Sequence, residues 1–212
     1  MDKKRLIINM TAQLTAFFVN LGISFVLTPI VDKMIPNSYG FVNIANQFVQ
    51  WAQVVVSALN TLASRYITIH LHKGEKQEAS EYFSSVFFAN MIMAAVFLLP
   101  AVFVIVFIDR MFQVPVGVLS DVQILWAFVF LNFFISIITS VFSTSTYSMN
   151  RLELSSVATI IAEFVRIGFL YVAYRFFPAY LFYLGIASVV STSVMAIANA
   201  GFTKKLLPDI KI

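Results

Sequence analysis

Residues 91–108 read MIMAAVFLLPAVFVIVFI, eighteen consecutive positions without one polar side chain. A run of this kind has no natural place in a soluble domain, and it matches the roughly 20 apolar residues of helix that cross a hydrocarbon core of about 30 Å. Comparable runs recur along the chain. With 60% hydrophobic residues, 23 phenylalanines and only 11% charged residues, the composition departs from that of soluble globular domains in the same direction. The sequence therefore predicts an all-α, multi-pass membrane protein, built of segments that satisfy their own backbone hydrogen bonds in lipid.

Turn residues and charges divide the chain into six expected transmembrane helices, at residues 6–31, 40–71, 79–108, 122–149, 154–176 and 179–202. The breaks between them, such as DKMIPNSYG, HKGEKQEAS and DRMFQVPVGVLSD, are too short for a soluble domain. The basic head MDKKR resembles the start of a signal peptide, but the apolar region after it is too long and lacks a small-residue cleavage site, so a retained first helix is expected.

Basic residues orient this bundle. Lys3, Lys4, Arg5, Lys73, Lys76, Arg151, Lys204, Lys205 and Lys211 fall on one side, against Lys33, Arg110 and Arg175 on the other. Under the positive-inside rule both termini are expected in the cytoplasm. The net charge of +4 follows from this bias, so nucleic acid is not an expected partner. The absence of cysteine excludes disulfides and thiolate metal sites.

Within these apolar spans the polar residues are ordered. On the second span Asn43, Asn46, Gln50, Gln53, Ser57, Asn60 and Ser64 follow steps of three and four, which puts them along one helix face. Asn132, Ser136, Thr139, Ser143, Thr146 and Asn150 repeat the pattern on the fourth span, Ser156, Thr159, Glu163 and Arg166 on the fifth, and Asn9, Gln13, Asn20 and Ser24 on the first. Such stripes face other helices or a wetted cavity, because lipid offers them no partner. The third span carries no stripe and is expected at the lipid-facing rim, with Pro100 a candidate kink. Ser188, Thr192, Ala196 and Ala200 make the sixth a packing surface.

Arg65, Glu163 and Arg166 are the ionisable residues left within or near hydrocarbon, where each costs on the order of 3 kcal/mol on insertion scales. Two readings are open for each. Glu163 and Arg166, three apart, can form a private ion pair, and Arg65 can snorkel to the headgroups. Alternatively, the arginines bind a large polar anion together with Asn20, Asn46, Gln50, Gln53 and Asn60, since a guanidinium fork suits phosphate and amides suit sugar hydroxyls. Glu163 is then a candidate coupling site for a proton or cation. His70 and His72 stand two apart on different faces and read as interfacial residues. With no HExxH, Asp-rich diphosphate or glycine-rich phosphate motif, neither an enzyme nor a cofactor or metal is expected.

Three stretches carry a family resemblance. MIPNSYGFVNIANQF, with Pro36, Tyr39 and Gly40, resembles the segment opening the second helix of lipid-linked polysaccharide flippases (O-antigen, Wzx-type) in the multidrug/oligosaccharidyl-lipid/polysaccharide exporter superfamily. SRYITIHLHKGEKQEASEYFSSVF, with Arg65, Gly74 and Lys76, is similar to that helix's exit, and YSMNRLELSSVATIIAEFVRIGFLYV to the passage from the fourth to the fifth helix. The resemblance implies a MATE-like fold of two six-helix lobes that moves a polyprenyl-diphosphate-linked oligosaccharide across the cytoplasmic membrane by alternating access. Because members of that family are about twice as long, residues 1–212 are expected to form the N-terminal lobe, with a second lobe from the same longer chain or a partner. The rivals are a multidrug or cation antiporter lobe, whose cavity would be anionic and aromatic; an enzyme acting on a polyprenyl phosphate; and a non-transporting scaffold subunit.

Overall fold

A computed structural model describes residues 3–35 and 39–210. Among these every regular element is helical: α1 (Lys3–Met34), α2 (Tyr39–Lys73), α3 (Lys76–Val106), the short α4 (Ile108–Phe112), α5 (Leu119–Thr139), the short α6 (Thr144–Ser148), α7 (Leu152–Phe176) and α8 (Phe182–Leu206). Pro36 and Lys211 lie outside the described residues.

Among the described residues five helical stretches are long and apolar enough to cross a membrane: Lys3–Met34, Lys76–Val106, Val116–Ser148, Leu152–Phe176 and Phe182–Leu206. The chain is a multi-pass membrane protein. The count differs from the six expected spans at α2. Its 35 residues rise about 52 Å at 1.5 Å per residue, ample for a crossing, but its amide stripe makes it too polar to qualify by composition.

The order of the long helices in space is not their order in sequence. Helix α8 is central, packed against α5 on one side and α7 on the other; α1 lies along α7, whereas α2 and α3 pack on each other and on α5. Sequence neighbours α1 and α2 thus bury themselves against different partners. The α5–α8 approach is close because Gly185 has no side chain: a Cβ there would lie 2.6 Å from Phe128 Cβ and 3.1 Å from the Leu125 carbonyl oxygen. Where α8 was expected to pack through Ser188, Thr192, Ala196 and Ala200, these are half-buried, and Gly185, Ala187, Ser191, Asn199 and Thr203 are the buried set.

The apolar core follows the α2–α3–α5 seam. At one end Trp126 is fully buried among Val42, Ala45, Val104 and Leu181, its ring 5.6 Å from that of Phe48 and 5.5 Å from that of Phe112. Val56, Phe133 and Ile137 continue it, and Ile67, Phe83 and Val141 close it at the other end. Helix α3 therefore has two faces. Leu99, Val102 and Phe103 are exposed as a rim requires, but Ala94, Ala101 and Val104 are buried against its neighbours, and the helix continues through Pro100.

Two helix ends show how polar backbone is satisfied here. The first amides of α8 lack a local side-chain cap; instead Asp121 of α5 accepts from Leu181 N at 2.8 Å and from Phe182 N at 3.0 Å. Helix α2 ends at Gly74, whose φ of +82° lets Glu75 N reach the His70 carbonyl oxygen at 3.0 Å.

Candidate functional site: a polar hollow at the break in the fourth span

The fourth span is not one continuous helix. After Thr139 the α-helix gives way to a 3-10 turn, Ser140–Ser143, followed by the single turn of α6. The local sequence TSVFSTSTYS accounts for this. Ser140 donates to the Ile137 carbonyl at 2.7 Å, Ser143 to Ser140 at 2.7 Å, Ser145 to Phe142 at 2.9 Å and Thr146 to Ser143 at 2.9 Å. Each hydroxyl bonds a carbonyl three residues back, which offsets the poorer backbone geometry of the tighter winding. An interruption at membrane depth is tolerated where protein or a polar cavity surrounds it.

Both conditions hold. On one side Thr203 of α8 donates to the Phe142 carbonyl at 3.0 Å. On the other, the break faces a cavity of about 660 Å³ shared with α2 and the start of α7. Its walls include Gln53, Ser57, Asn60, Thr61, Ser64 and Arg65 from α2, Ser140, Ser143, Thr144, Thr146 and Tyr147 from the break, and Ser155 from α7; Leu62 and Leu152 are its apolar residues. The volume is within the range of ligand pockets, about 300–1,000 Å³.

Hydroxyl pairs hold the walls together, Ser64 with Thr144 at 2.8 Å and Thr68 with Ser148 at 2.7 Å. At the back Asn60 and Asn90 exchange side-chain hydrogen bonds, Asn90 Nδ2 to Asn60 Oδ1 at 3.1 Å and Asn60 Nδ2 to Asn90 Oδ1 at 3.4 Å, and Asn90 also donates to Ser140 at 3.1 Å. Asn90 is fully buried. No pattern in the sequence marks it, because it stands alone just before the apolar run of α3 and belongs to no stripe. Three helices meet at its amide.

The expected binding residues separate into three groups. Gln53, Asn60 and Arg65 share the cavity, where Arg65 is the charged residue in the wall; among the described residues it has no carboxylate partner. Asn46 and Gln50 are exposed farther along α2 and do not line the cavity. Asn20, Glu163 and Arg166 form a separate cluster between α1 and α7. There Arg166 donates to both carboxylate oxygens of Glu163, at 3.1 and 3.0 Å, and Asn20 Nδ2 donates to Oε1 at 3.1 Å. Glu163 is buried, and the geometry is that of the private ion pair. Asn9, on the stripe of Asn20, also seals onto the α7 side: it donates to Asn150 Oδ1 at 2.8 Å and accepts from Glu153 N at 3.2 Å.

With this geometry in hand, likeness to known proteins adds a coarse result. The chain is similar to the uncharacterized membrane protein EpsK of Bacillus subtilis (strain 168), 25% identical over 202 residues. The match covers 95% of this chain and 40% of that relative, a distant relationship to part of a longer membrane protein. No protein-family model and no solved structure matches the chain.

The cavity suits a particular ligand chemistry. Several of its hydroxyl protons are already committed, Thr61 to the Ser57 carbonyl at 2.7 Å and Ser143 and Thr146 as above. Those oxygens present lone pairs to the cavity. The donors left are the Arg65 guanidinium, the amide of Gln53, which makes only a 3.5 Å contact to Ser57, and the hydroxyls of Ser57, Tyr147 and Ser155. A ligand with its own hydroxyl donors and one compact anionic group complements that wall.

Proposed function

We propose that the chain is one lobe of an exporter that moves a polyprenyl-diphosphate-linked oligosaccharide across the cytoplasmic membrane by alternating access, with both termini in the cytoplasm. The supporting observation is Arg65, without an acidic partner among the described residues, in a cavity whose wall is lined by amides and hydroxyls together with Leu62 and Leu152. The guanidinium takes a diphosphate through parallel charge-assisted hydrogen bonds, the acceptor hydroxyls take sugar O–H groups, and the lipid tail stays among the exposed apolar side chains of α2. The resemblance of residues 34–48, 64–87 and 147–172 to lipid-linked polysaccharide flippases supports the same reading. The second lobe is supplied by more of a longer chain or by a partner, and the lobe carries no catalysis. Glu163 and Arg166, satisfied by each other and Asn20, hold α7 against α1 in this reading rather than grasping substrate.

The test is binding of a short-chain polyprenyl-diphosphate disaccharide to the protein in nanodiscs. Arg65→Ala is expected to weaken it by roughly ten- to a hundredfold, the equivalent of about 1.5–3 kcal/mol for hydrogen bonds to a charged group. Equal binding by the variant and the parent protein overturns the assignment.

A further inference from the structure

We propose that the turn between α2 and α3 is a binding site for a divalent transition-metal ion of the zinc class, with His70, Glu75 and Glu78 as its protein ligands. His70 and His72 alone suggest nothing of the kind, since two histidines two residues apart point in different directions. The third dimension changes this. Gly74 reverses the chain, and the first turn of α3 folds back over the end of α2. Glu75 Oε2 then lies 2.7 Å and Glu78 Oε2 2.9 Å from the same atom, His70 Nδ1. Candidate ligand atoms of all three residues fall within 4.8 Å of one another.

The imidazole is held in place for such a role. Its ring stacks on Tyr82 with centroids 5.1 Å apart, Tyr82 stacks in turn on Tyr66 at 5.9 Å, and the His70 side chain is 15% exposed. The two glutamates are half-exposed, so water and ions reach the site.

The chemistry of Nδ1 decides what belongs there. A neutral imidazole offers at that atom either one lone pair or one hydrogen. A lone pair facing two carboxylates is repelled by both, and one hydrogen makes a full bond to only one of them. Two negative oxygens converging on one nitrogen call for positive charge between them. Lysine does not supply it: Lys76, on the same turn, is engaged with Asp209 at 2.6 Å, and among the described residues Lys73 makes no ion pair with Glu75 or Glu78. A divalent ion does, accepting the nitrogen lone pair and one oxygen from each glutamate. Ligands about 2.1 Å from a common ion are about 3.4 Å apart in the tetrahedral arrangement of zinc, so the two glutamate oxygens, at 2.7 and 2.9 Å from Nδ1, need only move out by roughly half an ångström or a little more, within reach of exposed side chains. One imidazole nitrogen and two carboxylates form a donor set for zinc or manganese rather than for magnesium or calcium, which favour oxygen throughout. The bound ion would clamp the end of α2 to the start of α3, bracing the two helices that meet at Asn60 and Asn90. The site does not depend on the transport reading.

The experiment uses the full chain in nanodiscs, stripped with a chelator and titrated calorimetrically with Zn2+, with Co2+ as a spectroscopic probe. One equivalent of Zn2+ is expected to bind with a micromolar or tighter Kd and raise the unfolding temperature, and a tenfold excess of Mg2+ is expected not to displace it. Glu75→Gln and Glu78→Gln should each weaken binding at least tenfold, and His70→Ala should abolish it. His72→Ala should leave it unchanged, because His72 Nδ1 bonds the Thr68 carbonyl. The glutamine variants keep shape at exposed positions and carry the test if His70→Ala does not fold. Absence of saturable binding, or binding indifferent to both glutamine variants, overturns the proposal. So does a turn that tightens on acidification without taking up metal, the outcome for a protonated histidine shared by two carboxylates.

Discussion

Helices α1 and α2 carry amides at the same helical spacing, yet they use them in opposite ways. On α1, Asn9 and Asn20 are spent in direct bonds to the α6–α7 turn and to Glu163. On α2, Gln53, Asn60 and Arg65 border a hollow. The difference lies in what stands opposite. Helix α1 lies directly on α7, so its amides meet partners at bonding distance, whereas α2 rests on α3 and α5 through Val42, Ala45, Val56 and Ile67. Its polar face is left beside the broken end of the fourth span. A polar stripe in a membrane helix thus declares a face, and the neighbouring helix decides whether that face becomes a seam or a wall.

The largest expected effect separates the two regions through their charges. Removing Glu163 leaves Arg166 partly buried without its counter-charge, a change that costs about 3–5 kcal/mol when a buried pair is broken. Glu163→Ala should therefore lower the unfolding temperature in nanodiscs sharply, and the double change Glu163→Gln with Arg166→Gln should recover much of the loss. Arg65→Ala should leave the unfolding temperature unchanged while weakening ligand binding roughly ten- to a hundredfold. If Glu163→Ala leaves stability intact and Arg65→Ala does not, the contrast between seam and wall is reversed.

A second expectation concerns the scaffold shared by both regions. Gly185→Ala places a methyl group 2.6 Å from Phe128 Cβ, where neither neighbour is the free end of a flexible chain. Overpacking of this kind costs about 1–3 kcal/mol, and because α8 joins the α1–α7 side to the α2–α3–α5 side, spectroscopic probes on both should report the same earlier transition. Independent transitions would show that the sides are coupled less closely than their packing implies.

Much of this was legible in advance, and the reasons for the remainder are specific. Hydropathy locates the helices because each must satisfy its own backbone in lipid, and it falters at α2 because that helix is shielded by neighbours on one face and polar on another. The steps of three and four correctly place Gln53, Asn60 and Ser64 together, with Arg65 beside them, since one helix fixes those relations. They cannot say that Asn20 meets Glu163, 143 residues away, because that contact depends on the α1–α7 pairing. The break at Ser140 is hidden for a different reason: Ser136, Thr139, Ser143 and Thr146 keep the spacing of a continuous helix, and the hydroxyls that bond carbonyls three residues back, those of Ser140, Ser143, Ser145 and Thr146, are known only from the folded structure. Asn90 and the approach of Glu75 and Glu78 to His70 are products of tertiary folding alone.

The smallest effects give the finest test of the comparison. Asn20 and Gln53 are both amides on polar stripes, and leucine keeps much of the volume of either. Asn20→Leu removes one donor to a carboxylate that still has Arg166, so the loss should be about 1 kcal/mol of stability, with ligand binding unaffected. Gln53 makes only a long contact to Ser57, at 3.5 Å, so Gln53→Leu should be close to neutral for stability, and a gain is acceptable because an apolar side chain suits the bilayer. Its effect should fall on the ligand, as the loss of one neutral hydrogen bond worth about 0.5–1.5 kcal/mol, a weakening of roughly two- to tenfold. Thermal unfolding and calorimetric titration of the two variants side by side would show either a crossed pattern, with stability lost in one and affinity in the other, or parallel behaviour. Parallel behaviour would mean that the two stripes serve one purpose and that the hollow beside Arg65 is packing space rather than a binding site.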